Sequence, residues 1–120
     1  MSGCLLIKKS TSNSRIETFG SYEIISQTKL EIGKKGKIQG NIFDKRKGRI
    51  IPYGRIWINE DTILAIDSLG SFEVTLSPNS YKFKLWSLGY KEITTDTIRI
   101  KENTVTQLNV YLGTSIIFEK

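Results

Sequence analysis

The sequence contains no histidine, a single cysteine and only two prolines, and these absences restrict the chemistry it can hold. Without histidine the chain has no Ser-His-Asp or Cys-His triad, no His-ligated zinc and no histidine general base. Cys4 has no second cysteine to pair with, so an intrachain disulfide is impossible. We therefore expect a protein that is not an enzyme and that binds no metal and no cofactor.

Long apolar runs are also missing. No stretch approaches the ~18 apolar residues of a membrane helix, so we expect nothing to span a bilayer. Residues 1–7 are too few to hold the charged and apolar regions of a secretory signal before a cleavage site. Ser2-Gly3-Cys4 nevertheless resembles the end of a bacterial lipobox, which predicts lipidation of Cys4. The alternative is a chance match, because Leu5 to Ile7 are unusually apolar for residues that follow a lipidated cysteine.

Length and composition are those of one globular domain with an extension. The chain has 120 residues, of which 38% are hydrophobic and 25% are charged, enough to bury a modest core. We expect residues 1–15 to form a flexible polar tether and residues 16–120 to form one domain. The net charge of +6 favours anionic surroundings, although a basic, solvated surface gives the same count.

Alternation of apolar and polar residues predicts short strands along most of the chain. Residues 37–43 read as the first core strand and residues 106–112 as the last. Residues 16–32 are too apolar for a free linker, and we expect them to add one or two strands to the domain. No segment has a sustained helical stripe with caps, so an all-β sandwich of about seven strands plus the N-terminal extension is predicted.

The pattern is centred on residues 65–90. Two alternating runs flank the turn at residues 77–80 and predict a β-hairpin. Its expected buried residues are Phe72, Val74, Leu76, Tyr81, Phe83 and Leu85. Asp67 is expected to hold the preceding turn through hydrogen bonds to backbone N–H groups, and Gly70 to supply a positive φ there.

These residues also carry a family resemblance. The order Asp67-Ser-Leu-Gly-Ser-Phe72, Tyr81-Lys-Phe83 and Gly89-Tyr90 resembles the carboxypeptidase regulatory-like domain, a transthyretin-like (prealbumin-like) family. Upstream, residues 36–44 and 51–58 are similar to that family's first two strands, so the resemblance covers residues 36–112. It implies an antiparallel Greek-key β-sandwich. It implies little about function, because such modules are appended to many different proteins.

Carboxylates remain as possible acid and base groups. The main ones are Asp44, Glu60, Asp61, Asp67, Glu73, Glu92, Asp96 and Glu102. Nearly all lie at predicted turns or outward strand positions, where a solvated carboxylate is expected. The hydrolases of the transthyretin-like fold rely on histidines, so the resemblance does not bring their activity to this chain.

Trp57 and Trp86 are the most suggestive residues. Alternation places both indoles on strand faces that point away from the core, and Trp86 shares its face with Lys82 and Lys84. One interpretation is that Phe19, Tyr22 or Ile24 of the extension covers them. The other is an open platform for sugar rings, or a hot spot for a protein partner.

A short basic loop, formed by Lys45, Arg46, Lys47 and Arg49, is the second candidate surface. It could contact phosphate or an anionic sugar, or it could be a solvated turn. The run is short and lacks interleaved aromatic residues, so nucleic acid is not an expected partner.

The sequence therefore predicts a non-enzymatic module of a bacterial envelope protein, in the periplasm or at the outer membrane. Its expected partner is another envelope protein, and its expected role is interaction or structure. The alternative is a carbohydrate-binding module that uses Trp57 and Trp86. Contact with the membrane is expected only through a lipid anchor at Cys4.

Overall fold

The computed structural model describes residues 13–29 and 33–119, which contain twelve strands and no helix. The strands are β1 (Asn13–Glu17), β2 (Ser21–Lys29), β3 (Gly36–Asp44), β4 (Arg55–Ile58), β5 (Thr62–Ala65), β6 (Ser71–Leu76), β7 (Asn79–Tyr81), β8 (Phe83–Trp86), β9 (Ile93–Thr94), β10 (Ile98–Ile100), β11 (Thr104–Leu112) and β12 (Ser115–Glu119). The expected all-β class is confirmed.

Two four-stranded sheets make up most of the domain, in the orders β2-β11-β3-β6 and β5-β4-β8-β9. The described neighbours pair antiparallel except β3 and β11, which run parallel with Leu108 opposite Gly40. The described sheets are therefore predominantly antiparallel, as expected, with one parallel ladder. Two small ladders, β1 with β12 and β7 with β10, complete the pairing.

The core lies between the inner faces of the two sheets. β3 alternates without interruption, so that Ile38 and Ile42 are fully buried while Gln39 and Asn41 between them are half-exposed. From the second sheet, Ile56, Phe83 and Leu85 are fully buried in the same cluster. Because both sheets contribute to a single apolar cluster, the arrangement is that of a β-sandwich.

The predicted hairpin is wrong. β6 pairs with β3, whereas β7 pairs with β10 and β8 pairs with β4 and β9. Residues 77–78 therefore carry the chain out of the first sheet instead of folding two strands on each other, and Asn79 and Ser80, which were predicted to lie in the turn, belong to β7. Burial follows from this: Phe72, Phe83 and Leu85 are buried, but Val74, Leu76 and Tyr81 are only half-buried. These three line an open cleft of about 350 Å3 between the edge strands β5 and β6.

The turn before β6 is built as expected. The Oδ1 atom of Asp67 accepts hydrogen bonds from the backbone N–H of Leu69 at 2.9 Å and of Ser71 at 2.8 Å. Gly70 has φ of 68°, which a residue with a side chain rarely adopts, and a Cβ there would collide with Ile50. The carboxylate and the glycine together fix the entry of the chain into β6.

The extension adds strands, as predicted. β2 pairs antiparallel with β11, from Ser21 opposite Tyr111 to Lys29 opposite Thr104, with a bulge next to Ile25. β1 pairs with the C-terminal strand β12 in a two-stranded ribbon. Residues 1–12, which hold Cys4 and most of the predicted tether, lie outside the described residues. The last three tether residues, 13–15, belong to β1.

Candidate binding surface

The two tryptophans lie on the outer face of the second sheet because β4 and β8 each bury alternate residues. In β4, Ile56 and Ile58 are buried and Trp57 between them points outward. In β8, Phe83 and Leu85 are buried on the inner face and Trp86 points outward. Both indoles are half-buried by their neighbours on the sheet and open on one side. The outward orientation expected from alternation is therefore present.

Strand register sets the spacing of the outward side chains. Trp57 lies opposite Lys84, and Arg55 lies opposite Trp86. The indoles are therefore diagonal neighbours, for which Cβ separations of about 7–8 Å are typical, and the two cations occupy the other diagonal. Lys82 continues the outward column of β8 and is exposed. We call Arg55, Trp57, Lys82, Lys84 and Trp86 the indole surface.

A cation–π contact orders part of this surface. The Nζ atom of Lys84 lies 4.7 Å from the centroid of the Trp57 ring. At such a distance the ammonium is attracted by the electron-rich ring face, which holds both side chains in place. The lysine covers only part of the indole, and Ile63, opposite Trp57 on β5, extends the apolar area with 54% of its surface exposed.

The charges of the indole surface are not compensated by neighbours. Among residues 13–29 and 33–119, no carboxylate forms a salt bridge with Arg55, Lys82 or Lys84. The turn between β4 and β5 carries the exposed Glu60 and Asp61. The side chain that bonds to the indole surface from this turn is neutral: Asn59 accepts a hydrogen bond at Oδ1 from the backbone N–H of Lys82 at 2.8 Å. The surface thus offers two partly open aromatic rings among three cations, which suits an acidic or a ring-bearing ligand.

The extension does not cover the indoles, so that interpretation is wrong. β2 is the edge strand of the other sheet, next to β11. Phe19 is 70% exposed, with the Nζ atom of Lys91 4.2 Å from its ring centroid, and Ile24 is 44% exposed. Tyr22 packs against the core, and its hydroxyl accepts a hydrogen bond from the backbone N–H of Asp96 at 3.0 Å.

The basic loop lies apart from the indole surface in the strand order, after β3 of the first sheet. Its four cations are exposed. Lys45 is anchored through hydrogen bonds from its backbone N–H to the Leu112 carbonyl at 3.0 Å and from Nζ to Ser21 Oγ at 2.8 Å. The structure does not join the two predicted surfaces into one site.

Asp44 was expected to be a solvated turn carboxylate, and this is wrong because the residue is buried. Its Oδ1 atom accepts hydrogen bonds from the backbone N–H groups of Arg46 and Lys47, both at 2.8 Å. Its Oδ2 atom accepts one from the Tyr90 hydroxyl at 2.7 Å. Alternation alone carried this signal, since residue 44 continues the inward series Ile38, Gly40 and Ile42.

Hydrogen bonding controls the charge states of Asp44 and Tyr90. Burial by itself raises the pKa of Asp44, but the bonds from Lys47, Tyr90 and Arg46, together with the charge of Lys47, bring it below its ordinary value. Burial and the bond to the carboxylate raise the pKa of Tyr90. Asp44 therefore remains ionised at neutral pH and holds the basic loop against the turn at residues 87–90, a structural role.

The other candidate carboxylates, from Glu60 to Glu102, are exposed. Among residues 13–29 and 33–119, no three acidic or cysteine side chains come close enough together to hold a metal ion. In the same part of the chain there is no helix that could cross a membrane.

Comparison with protein families and with curated proteins gives no relative from which a function could be transferred. No protein-family model matches the chain, and no curated protein matches it in sequence.

Proposed function

We propose that this chain is a non-enzymatic interaction module of a bacterial envelope protein, and that it binds another protein through the indole surface. The observation that carries the proposal is the alternation of two half-open indoles with uncompensated cations on one sheet face. Support for a non-catalytic role comes from the absence of histidine. The resemblance to the carboxypeptidase regulatory-like, Greek-key domains supports an appended module, and the lipobox-like Ser2-Gly3-Cys4 supports the envelope.

The chemistry of the surface favours a protein partner with acidic groups. Tryptophan and arginine are the residues that most often dominate the binding energy of protein interfaces. Both belong here to β4 and β8, the two inner strands of the sheet. Trp57 lies within β4, and the pair formed by Arg55 and Trp86 lies at the end of the two strands. Lys82, Lys84 and Arg55 would steer an acidic partner toward the indoles.

Site-specific photo-crosslinking in envelope extracts tests the proposal. A photoreactive residue at Ile63, beside Trp57, should give a discrete adduct with an envelope protein, and Trp57→Ala or Trp86→Ala should abolish it. The matched control carries the same photoreactive residue at Thr75, which is exposed on β6 of the other sheet. Equal adducts from both positions, or adducts that survive both tryptophan substitutions, would contradict a partner at this surface.

Carbohydrate binding is the second candidate, favoured by the two indoles that lie open on adjacent strands. A glycan array with the wild-type chain and the two Trp→Ala variants distinguishes it from protein binding. Stacking on the indoles predicts binding that each variant weakens, with no loss of stability and little dependence on salt. Absence of any glycan signal, together with a tryptophan-dependent protein adduct, would leave the protein partner alone.

A further inference from the structure

One end of the sandwich brings together four loops. β3 and β11 finish there, and β2, β4 and β6 begin there. We call this region the loop end; it comprises residues 18–20, 45–54, 66–70 and 87–92. Its loops are held together: the backbone N–H of Tyr53 donates to the Asp67 carbonyl at 3.1 Å, and that of Lys91 donates to the Gly113 carbonyl at 2.8 Å.

Most of the large apolar side chains that face solvent belong to this end. Among the described residues there are eight such side chains, and five of them are in the loop end. They are Phe19 at 70% exposure, Ile50 at 48%, Tyr53 at 67%, Leu69 at 66% and Leu88 at 82%. Single exposed apolar residues are ordinary on a soluble protein, but a concentration of them on adjacent loops marks an interaction surface.

The same end carries a concentration of positive charge. Lys45, Arg46, Lys47 and Arg49 are exposed immediately before Ile50. Within the part of the chain that the structure describes, no carboxylate forms a salt bridge with them. Asp44 lies beneath the loop, where its oxygens are occupied by backbone N–H groups and by Tyr90. The basic loop and the apolar tips therefore share one end of the sandwich, which also carries the exposed carboxylates of Asp67 and Glu92.

We propose that the loop end docks on an anionic lipid membrane, independently of any lipid at Cys4. Apolar side chains at loop tips can enter the interfacial region of the bilayer while the neighbouring lysines and arginines contact acidic headgroups. An anionic polysaccharide would use the cations but not five apolar tips spread over four loops. An acidic protein would need a complementary apolar surface spread over all of those loops.

The course of the chain agrees with this orientation. β1 and β12 both join the sandwich at the loop end, where the backbone N–H of Thr18 donates to the Thr114 carbonyl at 2.8 Å. Residues 1–12, including Cys4, precede that ribbon. Cys4 therefore lies nine residues before the far end of a ribbon that leaves the sandwich at the loop end.

Vesicle sedimentation with the full chain carrying Cys4→Ser tests the proposal without an acyl anchor. The chain should bind vesicles made of equal parts phosphatidylcholine and phosphatidylglycerol about tenfold more tightly than vesicles of phosphatidylcholine alone, and binding should weaken as salt rises. Absence of phosphatidylglycerol-dependent binding at low salt would overturn the proposal. The proposal would also be overturned if the chain were retained on heparin beads but did not bind vesicles, because the cations would then bind an anionic polymer.

Matched variants separate the loop end from overall charge. The double change Lys47→Glu and Arg49→Glu should weaken vesicle binding about tenfold or more, given the contribution of each basic residue near an anionic surface. The control, Lys34→Glu and Lys35→Glu, reverses two exposed charges at the opposite end and should change it little. Equal losses from the two pairs would overturn the assignment of the surface.

A second pair of variants tests the contribution of the apolar side chains to vesicle binding. Leu69→Ser and Leu88→Ser change exposed tips, so the fold should tolerate them, yet each should weaken binding to the mixed vesicles severalfold. Ile63→Ser, at a 54% exposed position on the second sheet, is the control. If the leucine variants bind as wild type does, the tips do not enter the membrane and the proposal fails.

Discussion

Phe83 lies at the centre of the core, fully buried, with its ring centroid 6.2 Å from that of Tyr81. Replacing it by alanine removes a large apolar side chain and leaves a cavity that β8 and the facing sheet can fill only in part. We expect Phe83→Ala to lower the free energy of unfolding by about 3–5 kcal/mol, measured by urea denaturation.

Phe19→Ala is the control, because Phe19 is 70% exposed and its recorded ring contact is with Lys91. Phe19→Ala should lower the free energy of unfolding by no more than about 1 kcal/mol. If both phenylalanine variants lost the same stability, the core would not be centred on β8.

Asp44 makes stability depend on pH in the acid range. Its pKa is lower in the folded chain than in the unfolded chain, so its contribution is complete above the unfolded value of about 4 and is lost as pH falls through the folded value. Asp44→Asn should reduce stability at pH 7, since hydrogen bonds to a charged group contribute about 1.5–3 kcal/mol each. Urea denaturation across acid pH measures both effects.

The comparison is the difference between wild type and Asp44→Asn at each pH. This difference should shrink as the pH falls below about 4. A difference that stays constant with pH would show that the carboxylate contributes through its shape and not its charge. The exposed Asp61 serves as the matched Asp→Asn control.

Alternation in the sequence predicts which face of a strand each residue occupies, because the side-chain period of a strand is two and one face is buried. It placed Ile38 and Ile42 inside and Trp57 and Trp86 outside. It also contained the burial of Asp44, which was missed because residue type was given more weight than position. A buried polar residue needs a hydrogen-bond partner, and the partner of Asp44 could not be identified from the sequence because Tyr90 is far from it along the chain.

At the scale of strands, the pattern does not identify partners. The runs before and after residues 77–80 have the alternation of a hairpin, yet each pairs with a strand that is distant in sequence. Ladder partners are selected by the packing of the whole sandwich, and a short turn between strands is equally compatible with a change of sheet. The parallel pairing of β3 with β11 was unpredictable for the same reason.

Removing the extension tests the role of β2. Deletion of residues 1–33 takes away the edge strand that covers one side of β11, so we expect a lower thermal midpoint. The tryptophan emission maximum of the folded state should not shift, because the indole surface belongs to the other sheet. Differential scanning fluorimetry and emission spectra measure the two effects.

Deletion of residues 1–12 alone is the matched control and should leave both measurements unchanged. A red shift of tryptophan emission in the 1–33 deletion, while it still unfolds cooperatively, would mean that the extension shields the indoles after all.

At the scale of the whole molecule, Cys4 should be dispensable for folding. It lies before β1 and has no second cysteine, so Cys4→Ser should leave the thermal midpoint unaltered. Lipidation is a separate question, tested in a bacterial host by uptake of labelled fatty acid into a precursor that carries an upstream signal sequence. The Cys4→Ser precursor, which has no thiol to acylate, is the unlabelled control. If the wild-type precursor is processed and takes up no more label than this control, Cys4 is not lipidated.

The ribbon of β1 and β12 has a mechanical consequence. The two strands are antiparallel, so Asn13 and Glu119 lie side by side at its far end. A force that pulls these two residues apart loads the ladder one hydrogen-bonded pair at a time, as in a zipper, because ladder bonds lie across the strands. β2 and β11 would open next from the same end, since Ser21 lies opposite Tyr111. Tension between the two ends would therefore peel this domain open at low force instead of shearing it.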